Sequence, residues 1–273
     1  MQVEAIEHIR PMRGGAQSHL LRGDDGHCYV VKFVNNPQHR RVLANEWLAS
    51  RLAQTLALPA PPAAQIYVPP ELVRSSPGLC IRIGGLSVPC ASGVQFGSRL
   101  PAPAPYAPIY DYLPEPALLR IENIDEFAGM LLFDKWACNT DGRQVIFCRP
   151  YPTGALRAYM VDHGFCFNAG EWNFPDSPLR GLYCRTLVYA SVIGWQSFRP
   201  WLERLEHLNE GALYAAGSEI PKEWYGKRED LEQLLDRLLR RRSRVRELIW
   251  VTRNSPRTPF KNWHENGAMA CAS

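Results

Sequence analysis

The chain has 273 residues, 46% hydrophobic and 21% charged, with a formal charge of +4. That is the balance of an ordinary globular protein, long enough for one large domain or two lobes, and too mildly basic to argue for a nucleic-acid or membrane function. No charged-then-apolar leader opens it and no run of eighteen apolar residues occurs, so secretion and membrane spanning are not expected. Eight cysteines, at 28, 80, 90, 138, 148, 166, 184 and 271, show no CxxC spacing. Several interrupt apolar runs, which fits buried thiols in a reducing, cytoplasmic setting.

In chain order, residues 3–9 alternate weakly and read as a strand. Gly14 and Gly15 then open a turn of small side chains, Ala16, Gln17 and Ser18. Glycines let a backbone approach phosphate oxygens, and successive N–H groups cradle an anion. The loop is neither a Walker A motif nor GxGxxG, and a glycine pair is more often structural punctuation. A Gly23-Asp24-Asp25-Gly26 turn between apolar runs at 19–22 and 28–33 predicts a hairpin. Lys32 lies inside Tyr29-Val30-Val31-Lys32-Phe33, on the strand face of Val30. A lysine there either faces solvent at an edge or pairs with an anion, because a buried unpaired ammonium is costly.

Asn36-Pro37 offers a cap-then-proline start for a helix with Val42, Leu43, Trp47, Leu48, Leu52 and Leu56 at helical spacing. Glu46 shares part of its inward face and is either a partner for Lys32 or a solvated flank. Prolines at 59–62 end the helix, and short β-like runs follow at 64–68, 78–83 and 94–97. The last, bounded by Gly93 and Gly97, is a candidate crossing between lobes, and Pro101, Pro103, Pro105 and Pro108 form a rigid connector.

The character then becomes helical. Asn123-Ile124-Asp125-Glu126 has capping-box spacing ahead of an apolar helix that ends near Cys138. It spills into Asn139-Thr140-Asp141-Gly142. Strands at 145–148 and 158–161 flank a turn at 150–154, and the second delivers Asp162 to Gly164. Two acids on separate loops suit a site needing one carboxylate beside a nucleophile and one on a metal, the division of labour in phosphoryl transfer. Residues 171–181 read as a surface loop, followed by helices at 187–193, 198–208 and 228–249. The last carries a leucine stripe, acids at its start and Arg240, Arg241, Arg242, Arg244 and Arg246 near its end, which complements the helix dipole. That cluster reads as a solvated helix end before it reads as a phosphate or nucleic-acid patch. Residues 254–273 lack periodicity and read as a loosely held tail.

The succession of glycine loop, strand lysine, helix glutamate, apolar helix, Asn-Thr-Asp loop and Asp-His-Gly resembles the protein-kinase-like superfold. More closely, Gly14-Gly15-Ala16-Gln17-Ser18-His19, Tyr29-Val30-Val31-Lys32-Phe33, the segment 36–47, Phe133-Asp134-Lys135-Trp136 with Asn139-Thr140-Asp141, and Val161-Asp162-His163-Gly164 resemble the HipA-like kinase family, related in fold to phosphatidylinositol 3- and 4-kinases. The likeness covers nearly all of residues 10–250. It implies an α+β, bilobal protein-kinase-like fold, with a small β-rich N-lobe over 1–98, a mainly helical C-lobe over 99–253, and 254–273 a loosely ordered tail.

The resemblance also implies roles. Gly14, Gly15, Ala16, Gln17 and Ser18 would cover the phosphates of ATP, and Lys32 would bind an α-phosphate oxygen with Glu46 as its helix partner. Asp141 would orient or deprotonate the acceptor hydroxyl, and Asp162 would hold Mg²⁺. The family's metal-binding asparagine, five residues after the catalytic aspartate, is Ile146 here, and Gln144 is the nearby amide offered in its place. The implied function is an ATP- and Mg²⁺-dependent phosphotransferase acting on a Ser/Thr hydroxyl of a protein. Its alternatives are an ATP-binding pseudokinase serving as an interaction module and a kinase for a lipid or small metabolite. The expected partner is a protein substrate, without membrane or nucleic acid.

Overall fold

A computed structural model of the chain describes residues 2–102 and 105–264. Seven strands come first: β1 (Gln2–Pro11), β2 (His19–Gly23), β3 (Cys28–Lys32), β4 (Ala63–Val68), β5 (Cys80–Ile83), β6 (Leu86–Pro89) and β7 (Gly93–Arg99). Five of them close into a barrel in the order β1-β2-β3-β7-β4, with β5 and β6 forming a separate hairpin. Closure satisfies edges that an open sheet would expose. The turn between β2 and β3 forms as anticipated, with Asp25 accepting from the His27 N–H at 3.0 Å and the Tyr29 hydroxyl at 2.6 Å.

Residues 94–97 are not a crossing between lobes. They lie within β7, which is hydrogen-bonded to both β3 and β4. Gly97 serves close packing: a Cβ there would lie 2.4 Å from Ile66 Cγ1. The chain leaves the barrel after Arg99, and Pro103 of the expected connector lies outside the described residues.

The first helix, α1 (Val42–Thr55), also starts later than Asn36 suggested. Asn36 instead closes an Asx-type turn, its Oδ1 accepting from the Gln38 N–H at 2.8 Å, and its Nδ2 donates to the Ala16 carbonyl at 2.6 Å. A side chain that satisfies local backbone groups in a turn competes with the helix it precedes. The helix is buried around most of its circumference because it lies between the barrel and the helical half. A short α2 (Pro70–Ser75) follows β4.

The second half holds β8 (Ile109–Tyr110), α3 (Glu115–Leu118), α4 (Glu126–Trp136), β9 (Gln144–Cys148) and β10 (Arg157–Val161), the strands pairing in the order β10-β9-β8. Asn123 does not cap α4. Its amide exchanges two 2.9 Å hydrogen bonds with the backbone of Ala158, fastening the start of the helix to β10. Then come α5 (Arg199–Glu206), α6 (Glu210–Ser218), α7 (Lys222–Tyr225), α8 (Arg228–Arg241) and α9 (Val245–Arg253). The helix expected at 187–193 is only a 3₁₀ turn, Thr186–Tyr189, and α6 was not anticipated.

The long helix expected over 228–249 breaks at a 3₁₀ turn, Arg242–Arg244. Ser243 Oγ bonds back to the Arg240 carbonyl there at 3.1 Å. Arg241 is buried, donating to the Trp136 and Lys135 carbonyls at the end of α4 and to Asp176. Arg242, Arg244 and Arg246 pair with Glu210, Glu247 and Glu206. Four of the five arginines are thus engaged within the molecule. The loosely held tail is corrected for residues 254–264, since Phe260 and Trp263 are buried and Phe260 packs edge-on against Tyr189 and Phe198. Residues 265–273 lie outside the described residues. Among those described, no helix is long and apolar enough to cross a membrane.

Candidate active site

The ends of β3 and β10, the middle of α1, the start of β9 and the glycine loop enclose one cavity of about 530 Å³. Lys32, the last residue of β3, reaches Glu46 Oε1 at 2.5 Å and Asp162 Oδ1 at 2.7 Å. The side chains of Lys32 and Glu46 are 8% and 3% exposed, so neither is the solvated edge or flank that their patterns also allowed. Burial alone would depress the Lys32 ammonium, but the two carboxylates outweigh it and hold its pKa above the ordinary lysine range. Burial raises the Glu46 carboxyl although Lys32 opposes it. Asp162, half-buried, is held below the usual range because Lys32 outweighs the burial that would raise it.

Asp162 has φ +59°, a left-handed conformation that aspartate tolerates better than most residues. The chain then passes hard against α1: a Cβ on Gly164 would lie 2.8 Å from Val42 Cγ2. Asn45, fully buried beside Glu46, fastens this crossing. Its Nδ2 shares two N–H groups among the carbonyls of Gly164, Cys166 and Ala169 at 2.7–3.0 Å, and its Oδ1 accepts from Trp172 Nε1 at 2.7 Å. Two neighbouring residues of one helix therefore hold both the lysine and the segment that follows Asp162.

Asp141 lines the same cavity from a loop built on a buried ion pair. Asp134, inside α4, receives a two-pronged contact from Arg143, with Nε to Oδ2 at 2.8 Å and Nη2 to Oδ1. It also accepts from Asn139 Nδ2 at 3.0 Å, and Asn139 Oδ1 in turn accepts from the Asp141 N–H at 3.1 Å. Arg143 Nη1 donates to the Val161 carbonyl at 2.8 Å, one residue before Asp162. One buried carboxylate thereby sets the relative positions of both loop acids. The Asp141 carboxylate itself accepts from the Gly142 N–H at 2.8 Å and from Gln144 Nε2 at 3.2 Å.

Of the loop residues, Gly14, Gly15, Ala16 and Ser18 line the cavity, and so does the exposed Arg13. Gln17 does not; its amide bonds to the backbone of Arg82 outside the cavity, which corrects its placement with the phosphate-covering residues. The lining also has an apolar part, from Val30, Phe96, Leu100, Ile109, Ile146 and Met160. Period two along β9 puts Gln144 on the same face as Ile146, so both reach the cavity, one with an amide and the other with an apolar side chain. Asp162, Asp141, Asp111 and Gln144 all bring side-chain oxygens, the donors a hard cation takes, to the cavity, and Mg²⁺ is commonly held by one or two carboxylates together with substrate phosphates. Among the described residues, no group of three His, Cys, Asp or Glu side chains is placed to hold a metal. Sequence reasoning assigned no role to Asp134, Arg143, Asn45 or Arg13. Asp134 carried a signal, an acid between Phe133 and Trp136 in an apolar run, of the same kind that drew attention to Lys32.

A family model described as HipA-like kinase matches residues 5–149, just over half of the chain. The chain belongs to the HipA-like kinase family. The solved structures similar to this HipA-like kinase include the Helicobacter pylori proinflammatory kinase CtkA, with a TM-score of 0.59, 11% identity, and coverage of 93% of this chain and 99% of that one. The Golgi casein kinase matches with a TM-score of 0.55 at 14% identity, covering 92% and 74% of the two chains. A Golgi casein kinase structure with Mn/ADP bound matches at 0.52 and 12%, covering 94% and 74%. At these identities the likeness concerns the fold: α+β and protein-kinase-like. No curated protein matches the sequence.

Two buried histidines of this HipA-like kinase predict its acid sensitivity. Burial, with the Arg143 guanidinium and the Lys32 ammonium nearby, takes the His163 imidazole well below its usual value. Burial likewise takes His19 to about 4, with His8 adding to the effect. Both stay neutral in the folded state, whereas the unfolded chain binds their protons below about pH 6.5. Stability should therefore fall as pH drops from 7 to 5, by about 2 kcal/mol for His19, with His163 acting in the same direction. Glu46, shifted upward, acts in the opposite sense, so a single substitution isolates the histidine contribution. Urea midpoints of wild type and His19→Gln at the two pH values provide the check: an equal pH slope would remove His19 from the account.

Proposed function

We propose that this kinase is an ATP- and Mg²⁺-dependent phosphotransferase that phosphorylates a Ser/Thr hydroxyl of a protein, with residues 1–98 and 99–253 as its two lobes. The observation that carries the reading is the convergence of Lys32, Glu46, Asp162 and Asp141, from four separated parts of the chain, on the one cavity beneath the glycine loop. The apolar lining suits a purine, and the successive N–H groups of Gly14, Gly15 and Ala16 cradle the phosphates. Lys32, held by Glu46, binds an α-phosphate oxygen, and Arg13 supplies a second cation at the phosphate end. Asp162 and Gln144 hold Mg²⁺, which would neutralise charge on the transferring phosphoryl group. Asp141 accepts the proton of the acceptor hydroxyl as its oxygen bonds to the γ-phosphorus and the bond to the ADP oxygen breaks.

Binding is tested by melting. With ATP and Mg²⁺ at a hundred times the dissociation constant, stability should rise by about 2.7 kcal/mol. Lys32→Met should abolish most of that increment whatever its effect on the ligand-free protein. A wild-type transition unmoved by saturating ATP–Mg²⁺ would remove the nucleotide reading. Transfer is tested with labelled ATP against a cell-extract protein fraction.

The apolar Ile146 at the position of the family's metal-binding asparagine favours one second reading, a pseudokinase that binds ATP without turnover. A nucleotide-dependent rise in melting temperature with no label transferred to protein, lipid micelle or small acceptor would select it.

A further inference from the structure

We propose that Gln17 is a positioning residue for the glycine loop, and that the β5–β6 hairpin is the brace to which it holds. Its Nε2 donates to the Arg82 carbonyl at 2.9 Å, and its Oε1 accepts from the Arg82 N–H at 2.6 Å. A primary amide presents one donor and one acceptor side by side, as a peptide group does, so Gln17 occupies the backbone edge of Arg82 as a neighbouring strand would. Two residues on from Gln17 and two back from Arg82 a second tie follows, with His19 Nε2 3.0 Å from the Cys80 carbonyl. Cys80 and Arg82, two apart on β5, present these groups on the same edge. Among the described residues β5 pairs with no strand but β6.

The contact has a visible cost. Gln17 adopts φ +47°, left-handed for a residue with a side chain, immediately before Ser18 returns to the cavity. Such a conformation persists only where its surroundings over-determine it. On the inner side, Asn36 Nδ2 holds the Ala16 carbonyl at 2.6 Å, and the Met12 N–H closes the loop on the Ser18 carbonyl at 2.8 Å. On the outer side the hairpin completes the bracket. The hairpin is itself tied back to the segment just past β3, where Asn35 Nδ2 donates to the Pro89 carbonyl at 3.0 Å. The backbone amides of Gly14, Gly15 and Ala16 are thus oriented before any nucleotide arrives, and this pre-organisation lowers the cost of binding a phosphate chain.

For its kinetic consequence the inference rests on the proposed ATP site; for its structural consequence it does not. Gln17→Met keeps length and removes both hydrogen bonds. Gln17→Gly removes them while relieving the φ. In each, hydrogen exchange measured by mass spectrometry should quicken in the peptide spanning residues 12–18 by about tenfold. The KM for ATP should rise by about tenfold while kcat changes less than twofold. Arg82→Ala is the control, since Gln17 uses only the Arg82 backbone, and both readouts should stay at wild-type values. Unchanged loop exchange in both Gln17 variants would overturn the brace, and so would a fall in kcat with KM unmoved. If the wild type transfers no phosphate, accelerated exchange in the variants still sustains the brace, and only the phosphotransferase reading falls.

Discussion

Asp141→Asn should bind ATP–Mg²⁺ about as tightly as the wild type and transfer phosphate roughly 10³-fold more slowly, within the range for loss of a general base. The Asp141 carboxylate is exposed in the cavity, and its two oxygens are aligned by the Gly142 N–H and by Gln144 Nε2. An amide keeps the volume but carries only one accepting oxygen. Its NH₂ group must then oppose one of these two donors, so neither alignment nor proton acceptance survives. The nucleotide contacts proposed for Lys32 and the glycine loop are untouched. Single-turnover transfer of labelled phosphate, alongside ATP-dependent melting, separates the two effects. Transfer at the wild-type rate would strip Asp141 of its proposed role, and loss of nucleotide binding would show that the substitution acts elsewhere.

Arg143→Ala should destabilise the fold by about 3–5 kcal/mol, a large share of the 5–15 kcal/mol typical of a whole domain. The side chains of Arg143 and Asp134 are 1% and 0% exposed. Removing the guanidinium leaves a buried carboxylate with only Asn139 as a partner, and frees the Val161 carbonyl beside Asp162. For a chain of this size the melting midpoint should drop by roughly 10 °C. Asp134→Ala with Arg143→Ala should cost less than the sum of the single changes, because the second removes the charge that the first stranded. Additive costs in chemical denaturation would mean that the two residues do not act as the coupled pair their geometry describes. The double variant also bears on catalysis, since it unties both acid-bearing loops while keeping both acids.

What could be read before folding was local. Lys32 stood out because an ammonium inside an apolar strand demands a partner, and Glu46 was the only acid on the inward face of the next helix. The hairpin around Gly23-Asp24-Asp25-Gly26 and the strands bearing Asp162 followed from turn chemistry and period-two alternation. The bend at Arg242–Arg244 was hidden because an unbroken leucine stripe takes no account of Arg241 turning inward to the end of α4. Residues 254–264 looked unanchored for the same reason: Phe260 finds Tyr189 and Phe198 far earlier in the chain.

By itself, the sequence determined which residues carry charge into apolar surroundings and which family pattern they follow, because burying an unpaired charge is costly enough to leave a mark on composition and spacing. Only the tertiary structure decided which way the polar side chains turn. Gln17 points out to the hairpin and Asn36 to the glycine loop, Asn123 bonds to β10, and Asp134 gathers Arg143 and Asn139. An amide or carboxylate takes whichever backbone group the fold brings within reach, and several of those groups lie 20 to 65 residues away.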